Sequence, residues 1–99
     1  MTARLVAAAL ALAAGAAHAQ DNPVARSLAA SCAACHGTDG RSVTTEVVSL
    51  AGLPKEHIVA QMKAFRDGTR PATVMHQLAK GYNDAQIERL ADYFAGRPR

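Results

Sequence analysis

Cys32-Ala33-Ala34-Cys35-His36 decides how the rest of the chain is read. Two thiols three positions apart, followed at once by an imidazole, form the attachment signature of a c-type haem. One helical turn brings both sulfurs to the same edge of a porphyrin, where they add to its two vinyl groups. His36 then falls beneath the iron, for which neutral imidazole is a good ligand. The expected cofactor is therefore one haem c, bound covalently through Cys32 and Cys35. Three other uses of the spacing compete. A Cys32–Cys35 disulfide is conceivable, as is a thioredoxin-like redox pair, but the latter expects a βαβ setting that this sequence does not offer. A zinc site needs a second ligand pair at metal spacing. No other cysteine exists, and His57 and His76 do not form such a pair.

Upstream of the motif, residues 1–19 have the parts of a secretory signal: Arg4 in a short charged start, an apolar run from Leu5 to Ala17, and Ala17-His18-Ala19 as a small-residue cleavage site. That 13-residue run is shorter than the roughly 20 residues a bilayer span requires. Cleavage is expected before Gln20, giving a periplasmic protein with no integral membrane segment. An exported, oxidising compartment also suits a haem-attachment reading of the thiols.

Residues 20–99 are 80 in number, enough for one small domain and not for two. They contain no Trp, and the only aromatics are Phe65, Tyr82, Tyr93 and Phe94. A core made of protein alone would stand near the lower limit of independent stability. The porphyrin is expected to complete it, so the haem-free polypeptide is expected to be largely unfolded.

Charge is modest. The chain carries +3, falling to +2 when Arg4 leaves with the leader. Its distribution says more: Lys55, Lys63, Arg66, Arg70 and Lys80 oppose only Glu56 and Asp67. A face of that kind is either ordinary solvated surface or a means of steering an acidic partner. Nucleic-acid binding has no support beyond this excess.

The spacing of apolar and capping residues predicts an all-α fold of three to four short helices. Asn22-Pro23 is a helix start, and Val24, Leu28 and Cys32 continue one stripe, so the first helix is expected to run into the haem motif and end near Cys35. Gly37 to Gly40 reads as a turn, and Arg41 to Gly52 as a loop that wraps the haem, with Val48, Leu50 and Leu53 lining the proximal side. A backbone carbonyl of this loop is expected to accept the Nδ1 proton of His36. Pro54 opens a second helix with Ile58, Val59, Met62 and Phe65 inward, stopped by Gly68. Residues 69–75 read as loop and His76 to Lys80 as a short helical turn. Asn83 and Gln86 then resemble a capping box before a last helix that buries Ile87, Leu90, Ala91 and Phe94.

Function turns on what stands opposite His36. Met62 lies in a helix stripe, where methionine usually fills core. His57 is expected to be exposed in the first turn of its helix. Met75 lies 39 residues after His36 in an irregular stretch stiffened by Pro71, and its neighbour His76 points elsewhere if Met75 points at iron. Met75 is the expected second axial ligand. A thioether is a weak donor that favours Fe(II), and with both axial positions filled no substrate reaches the metal.

These residues resemble the class I c-type cytochromes. The likeness rests on Cys32-Ala33-Ala34-Cys35-His36-Gly37, Ser49-Leu50-Ala51-Gly52-Leu53, Phe65-Arg66-Asp67-Gly68-Thr69-Arg70, Met75 and Leu90-Ala91-Asp92-Tyr93-Phe94. It implies a small helical fold whose first and last helices cross, with iron between His36 and Met75. Many members have a proline two residues before the leucine of the Leu-Ala-Gly element, where this chain has Val48. A narrower likeness joins Met75-His76-Gln77-Leu78-Ala79-Lys80-Gly81-Tyr82 to the cytochrome subunits of flavocytochrome c sulfide dehydrogenases, which implies a flavoprotein partner. The leading reading is an electron carrier, or an electron-accepting subunit with no substrate chemistry of its own. The alternative is a haem enzyme or a gas or peroxide sensor with an open distal site, although no distal Arg-His pairing of a peroxidase can be read here.

Overall fold

A computed structural model describes residues 22–99; the expected leader and the cleavage point before Gln20 lie outside the described residues. Helix α1 spans Pro23–Ala30, with the Asn22 side chain accepting from the Val24 and Ala25 amides at 3.0 and 3.2 Å. Its buried residues, Ala25 and Ala29, are small enough to let it lie close against the last helix, α5, which spans Asp84–Ala95. Between them in sequence come α2 (Ala33–His36), a 3-10 turn (Thr38–Gly40), α3 (Lys55–Asp67) and α4 (Met75–Ala79). Among the described residues there is no strand. The described residues form five short helices where three to four are expected, because the first is split in two; a second difference is a shifted boundary.

The first helix does not run through to Cys35. It ends at Ala30 because the Ser31 hydroxyl donates to the Leu28 carbonyl at 3.1 Å and the Cys32 amide closes a tighter bond to Ala29 at 3.0 Å. Both bonds withdraw backbone groups from the helical ladder. A fresh turn, α2, then starts inside the motif. The second correction concerns Met75, which is the first residue of α4 rather than part of the preceding loop. The Val74 carbonyl accepts from Gln77 and Leu78, and fully buried Ala79, one turn on from Met75, pins this short helix to the core.

Helix α3 begins after Pro54 and ends at Gly68, whose left-handed φ of 79° lets the Thr69 amide return to the Ala64 carbonyl. Helix α5 opens with the expected box: Asn83 accepts from the Gln86 amide while the Gln86 side chain accepts from the Asn83 amide, both at 2.9 Å. Ile87, Leu90, Ala91 and Phe94 face inward from it, against Ile58 and Met62 of α3. Of the ten buried hydrophobic residues described, Ala25, Ala29, Ala51, Ala79 and Ala91 supply half, so the apolar mass of the core is small.

Two exposed clasps hold α3 to α5. Lys55 reaches Glu88 and Asp92 at 3.1 and 3.0 Å, and Arg66 reaches Asp84 at 2.7 Å. Two bases of the positive stretch are therefore neutralised within the fold. Arg70 lies over the Phe65 ring at 4.6 Å and bonds to Gln61. At the other end, the chain terminus is stitched to the loop after the motif: Gly52 donates to the Phe94 carbonyl, Arg41 to that of Pro98, and the Tyr93 hydroxyl to Asp39 at 2.8 Å.

Candidate metal centre

Both thiols follow the break at Ser31, Cys32 just ahead of α2 and Cys35 within it. Cys32 is half-buried against the core cluster, whereas Cys35, on α2, is exposed. The two are not joined as a disulfide, and burial pushes the Cys32 thiol above its ordinary value, partly offset by a hydrogen bond with Ser31. A thioredoxin-like pair expects a βαβ setting, and the described residues around this motif are helical with no strand. The zinc reading also finds no support: among the described residues, no three His, Cys, Asp or Glu side chains converge.

His36 ends α2, and its Nδ1 stands 2.7 Å from the Val48 carbonyl oxygen. A carbonyl can only accept, so the Nδ1–H donates, and in the neutral ring this fixes the tautomer that leaves the Nε2 lone pair available. This is the expected backbone partner from the wrapping loop. The loop delivers it because the Gly40 carbonyl accepts from the Leu50 and Ala51 amides at 2.7 and 3.1 Å, while Ser49 Oγ accepts from Ser42. The Val48 side chain, expected to line the proximal side, is 59% exposed, and the residue's backbone carbonyl holds His36. Leu50 and Leu53 do pack against the core. Immediately after His36, Gly37 adopts φ 86° and ψ 166°, and a Cβ there would lie 1.8 Å from the Arg41 carbonyl oxygen.

The four candidates for the opposite side lie in different surroundings. Met62 is buried core, only 8% exposed, and His57 is exposed. Met75 is half-buried and packs on the same cluster as Cys32, so the thiol-bearing segment and the thioether-bearing helix border one core. His76 is partly buried, with an Nδ1 that is enclosed and has no hydrogen-bond partner.

A haem fits this arrangement on three observations. The core is poor in large side chains. Val74 and Leu78, near Met75, and Val48, whose carbonyl bonds His36, leave apolar surface about half exposed on the segments that carry these two residues. The orphaned His76 nitrogen is the kind of group that folded proteins rarely leave unmatched. Reasoning from sequence passed over this nitrogen and also the bond between Ser31 Oγ and the Tyr82 hydroxyl, at 2.8 Å. Partners 51 residues apart leave no local pattern to find.

The cytochrome c family model matches residues 13–96. The cytochrome subunit of sulfide dehydrogenase from Chlorobaculum tepidum is 43% identical over 67 residues, covering 68% of this chain and 60% of that protein. The thiosulfate dehydrogenase electron acceptor of Thiomonas intermedia is 41% identical over 68 residues, which are 68% of this chain but 31% of the relative. Cytochrome c-554(548) of Halomonas halodenitrificans is 35% identical, covering 67% of this chain and 83% of the relative. The chain thus spans less than two thirds of the first two relatives. Among solved structures, the cytochrome c4 of Acidithiobacillus ferrooxidans superposes with a TM-score of 0.63 at 37% identity, over 66% of this chain and 37% of that one. Among the described residues no helix is long and apolar enough to cross a membrane. With a class I cytochrome c fold, two cysteines and a histidine in the haem-attachment positions, and electron-transfer relatives, the chain belongs to the cytochrome c family and carries a covalently bound haem c.

Proposed function

We propose that this chain is an exported, periplasmic single-electron carrier whose haem is held by Cys32 and Cys35 and whose iron lies between His36 and Met75. The observation that carries the ligation is the His36 Nδ1–H bond to the Val48 carbonyl, which leaves Nε2 as the free donor and stops the ring from turning. When bound, the haem supplies a one-electron Fe(III)/Fe(II) couple. Cys32 and Cys35 prevent its escape, and the carbonyl behind His36 makes the imidazole a stronger donor. Met75 offers a weak thioether on the opposite side, which favours the reduced state, and it keeps water and small ligands from that position. Because His36 and Met75 would hold the iron in either state, one-electron transfer would proceed without any protein group being gained or lost.

The likeness to the Chlorobaculum tepidum subunit supports a finer role as electron acceptor for a flavoprotein that oxidises a reduced sulfur compound, such as sulfide. Tagged protein isolated from its native cells is expected to bring down a flavin-containing partner that reduces it when sulfide is added. Isolation of the cytochrome alone, with no sulfide-dependent reduction by the cell extract, would contradict that role.

The carrier reading itself is tested with carbon monoxide. The reduced protein at neutral pH should bind CO slowly or not at all, because Met75 must first leave. Rapid binding would instead favour the enzyme or sensor reading.

A further inference from the structure

The two segments that bear the proposed iron ligands are far apart in sequence and are held to each other mainly through the common core. Helix α4, with Met75, packs on α3; α1 packs on α5. Among the described residues, one hydrogen bond joins the motif segment directly to the Met75 side of the molecule: Ser31 Oγ to Tyr82 Oη, at 2.8 Å. Both ends of this link are anchored. Ser31 Oγ also donates to the Leu28 carbonyl and bonds the neighbouring Cys32 thiol. The backbone carbonyl of Tyr82 accepts from Arg66, whose guanidinium is tied to Asp84 at 2.7 Å, and the Tyr82 ring packs against the core. Because Ser31 donates to Leu28, the direction of the link follows: the Tyr82 hydroxyl donates to Ser31.

We infer that Tyr82 and Ser31 form a cross-brace that sets how firmly Met75 stays on the iron. The inference rests on Met75 as axial ligand. A thioether–iron bond is weak, so a small change in the freedom of α4 relative to Cys32 shifts the balance between Met75 and a competing ligand. The brace closes the side of the molecule where Ser31 precedes the first thioether and Tyr82 follows α4 by three residues. Without it, α4 keeps only its packing on α3 and the core. Tyr82 and Ser31 are thus positioning residues, touching neither substrate nor metal.

The test uses the ferric holoprotein and imidazole as a probe that displaces Met75, followed by loss of the near-infrared sulfur-to-iron band. Tyr82→Phe keeps the ring but removes the donor, and Ser31→Ala removes the acceptor at an exposed site. Each should tighten apparent imidazole binding about fivefold, the size expected from one net hydrogen bond. The double variant should do no more than either single change, and Ser31→Thr, which keeps a hydroxyl, should restore parental affinity. Tyr93→Phe, which breaks the bond to Asp39 elsewhere, should lower stability and leave imidazole affinity unchanged. Unchanged affinity in Tyr82→Phe, fully additive effects in the double variant, or an equal effect of Tyr93→Phe would overturn the brace. A parent protein with no sulfur-to-iron band would overturn the Met75 ligation itself and the brace with it, so the two failures are told apart by the starting spectrum.

Discussion

Replacing Gly37 with alanine asks whether the tight turn after His36 is what delivers the ring's backbone partner. Gly68, at φ 79° and ψ 8°, lies in the left-handed region, where alanine costs about 1–2 kcal/mol, whereas Gly37, at φ 86° and ψ 166°, lies in an extended positive-φ region that only glycine favours, where the cost is at least as large. Their surroundings differ. A Cβ at Gly68 meets nothing within 4 Å, whereas one at Gly37 would lie 1.8 Å from the Arg41 carbonyl oxygen and 2.6 Å from its carbon. Backbone cannot rotate aside as a side chain can, so the loop itself must shift, adding about 1–3 kcal/mol of the kind seen in overpacked interiors. Gly37→Ala should therefore cost about 2–5 kcal/mol and Gly68→Ala about 1–2 kcal/mol. For a domain of this size that means Tm losses of about 10–30 °C and about 5–10 °C, read by circular dichroism on the holoprotein. The shift at Arg41 also disturbs Gly40, whose carbonyl holds Leu50 and Ala51 and through them the Val48 acceptor. Exchange of the His36 ring proton, followed by NMR, should accelerate in Gly37→Ala and not in Gly68→Ala. Equal stability losses and equal exchange in the two variants would refute the reasoning.

Removing the haem should leave a chain without a cooperative thermal transition, since half of the described buried apolar residues are alanine; a sharply melting apoprotein would contradict this. Phe94→Ala deletes the largest side chain of the core, 2% exposed and edge-on to Tyr93 at 5.2 Å, and should cost about 3–5 kcal/mol in urea unfolding. The Arg66 guanidinium holds the Asp84 carboxyl below its ordinary value, so this pair supports the fold above the unfolded carboxylate pKa, near 3.9, and that support fades as pH falls through the lower folded value. Asp84→Asn should thus be less stable than the parent at neutral pH and converge with it in acid, by denaturation at a series of pH values; a gap that persists below both pKa values would contradict the linkage.

What could be read from the sequence was whatever local chemistry determines. Asn22 before Pro23, the Asn83–Gln86 box and Gly68 at a helix end each act within one turn of the backbone, and each stands where its pattern puts it. The carbonyl partner of His36 was foreseeable because a ligating imidazole needs one, but its identity depended on how the loop folds back onto Gly40. That is also why Val48 reads in the sequence only as an apolar side chain, while the fold shows its oxygen bonded to His36. The stop at Ala30 escaped because Leu28 and Cys32 continue a helical stripe, and nothing nearby announces that Ser31 will turn its hydroxyl to Leu28 and Tyr82. Met75 reads as loop for a related reason: Pro71 stiffens the approach and the cap position is taken by Val74, whose side chain cannot cap, so only the bonds of the Val74 carbonyl to Gln77 and Leu78 show that the helix begins at Met75.

The most direct measurement is the near-infrared absorption of the oxidised holoprotein in three forms: parent, Met75→Leu and Met62→Leu. The weak sulfur-to-iron band should be present in the parent, persist when Met62 is replaced, and vanish together with a fall in reduction potential when Met75 is replaced. A band that survives Met75→Leu and disappears in Met62→Leu would contradict the proposed ligand pair.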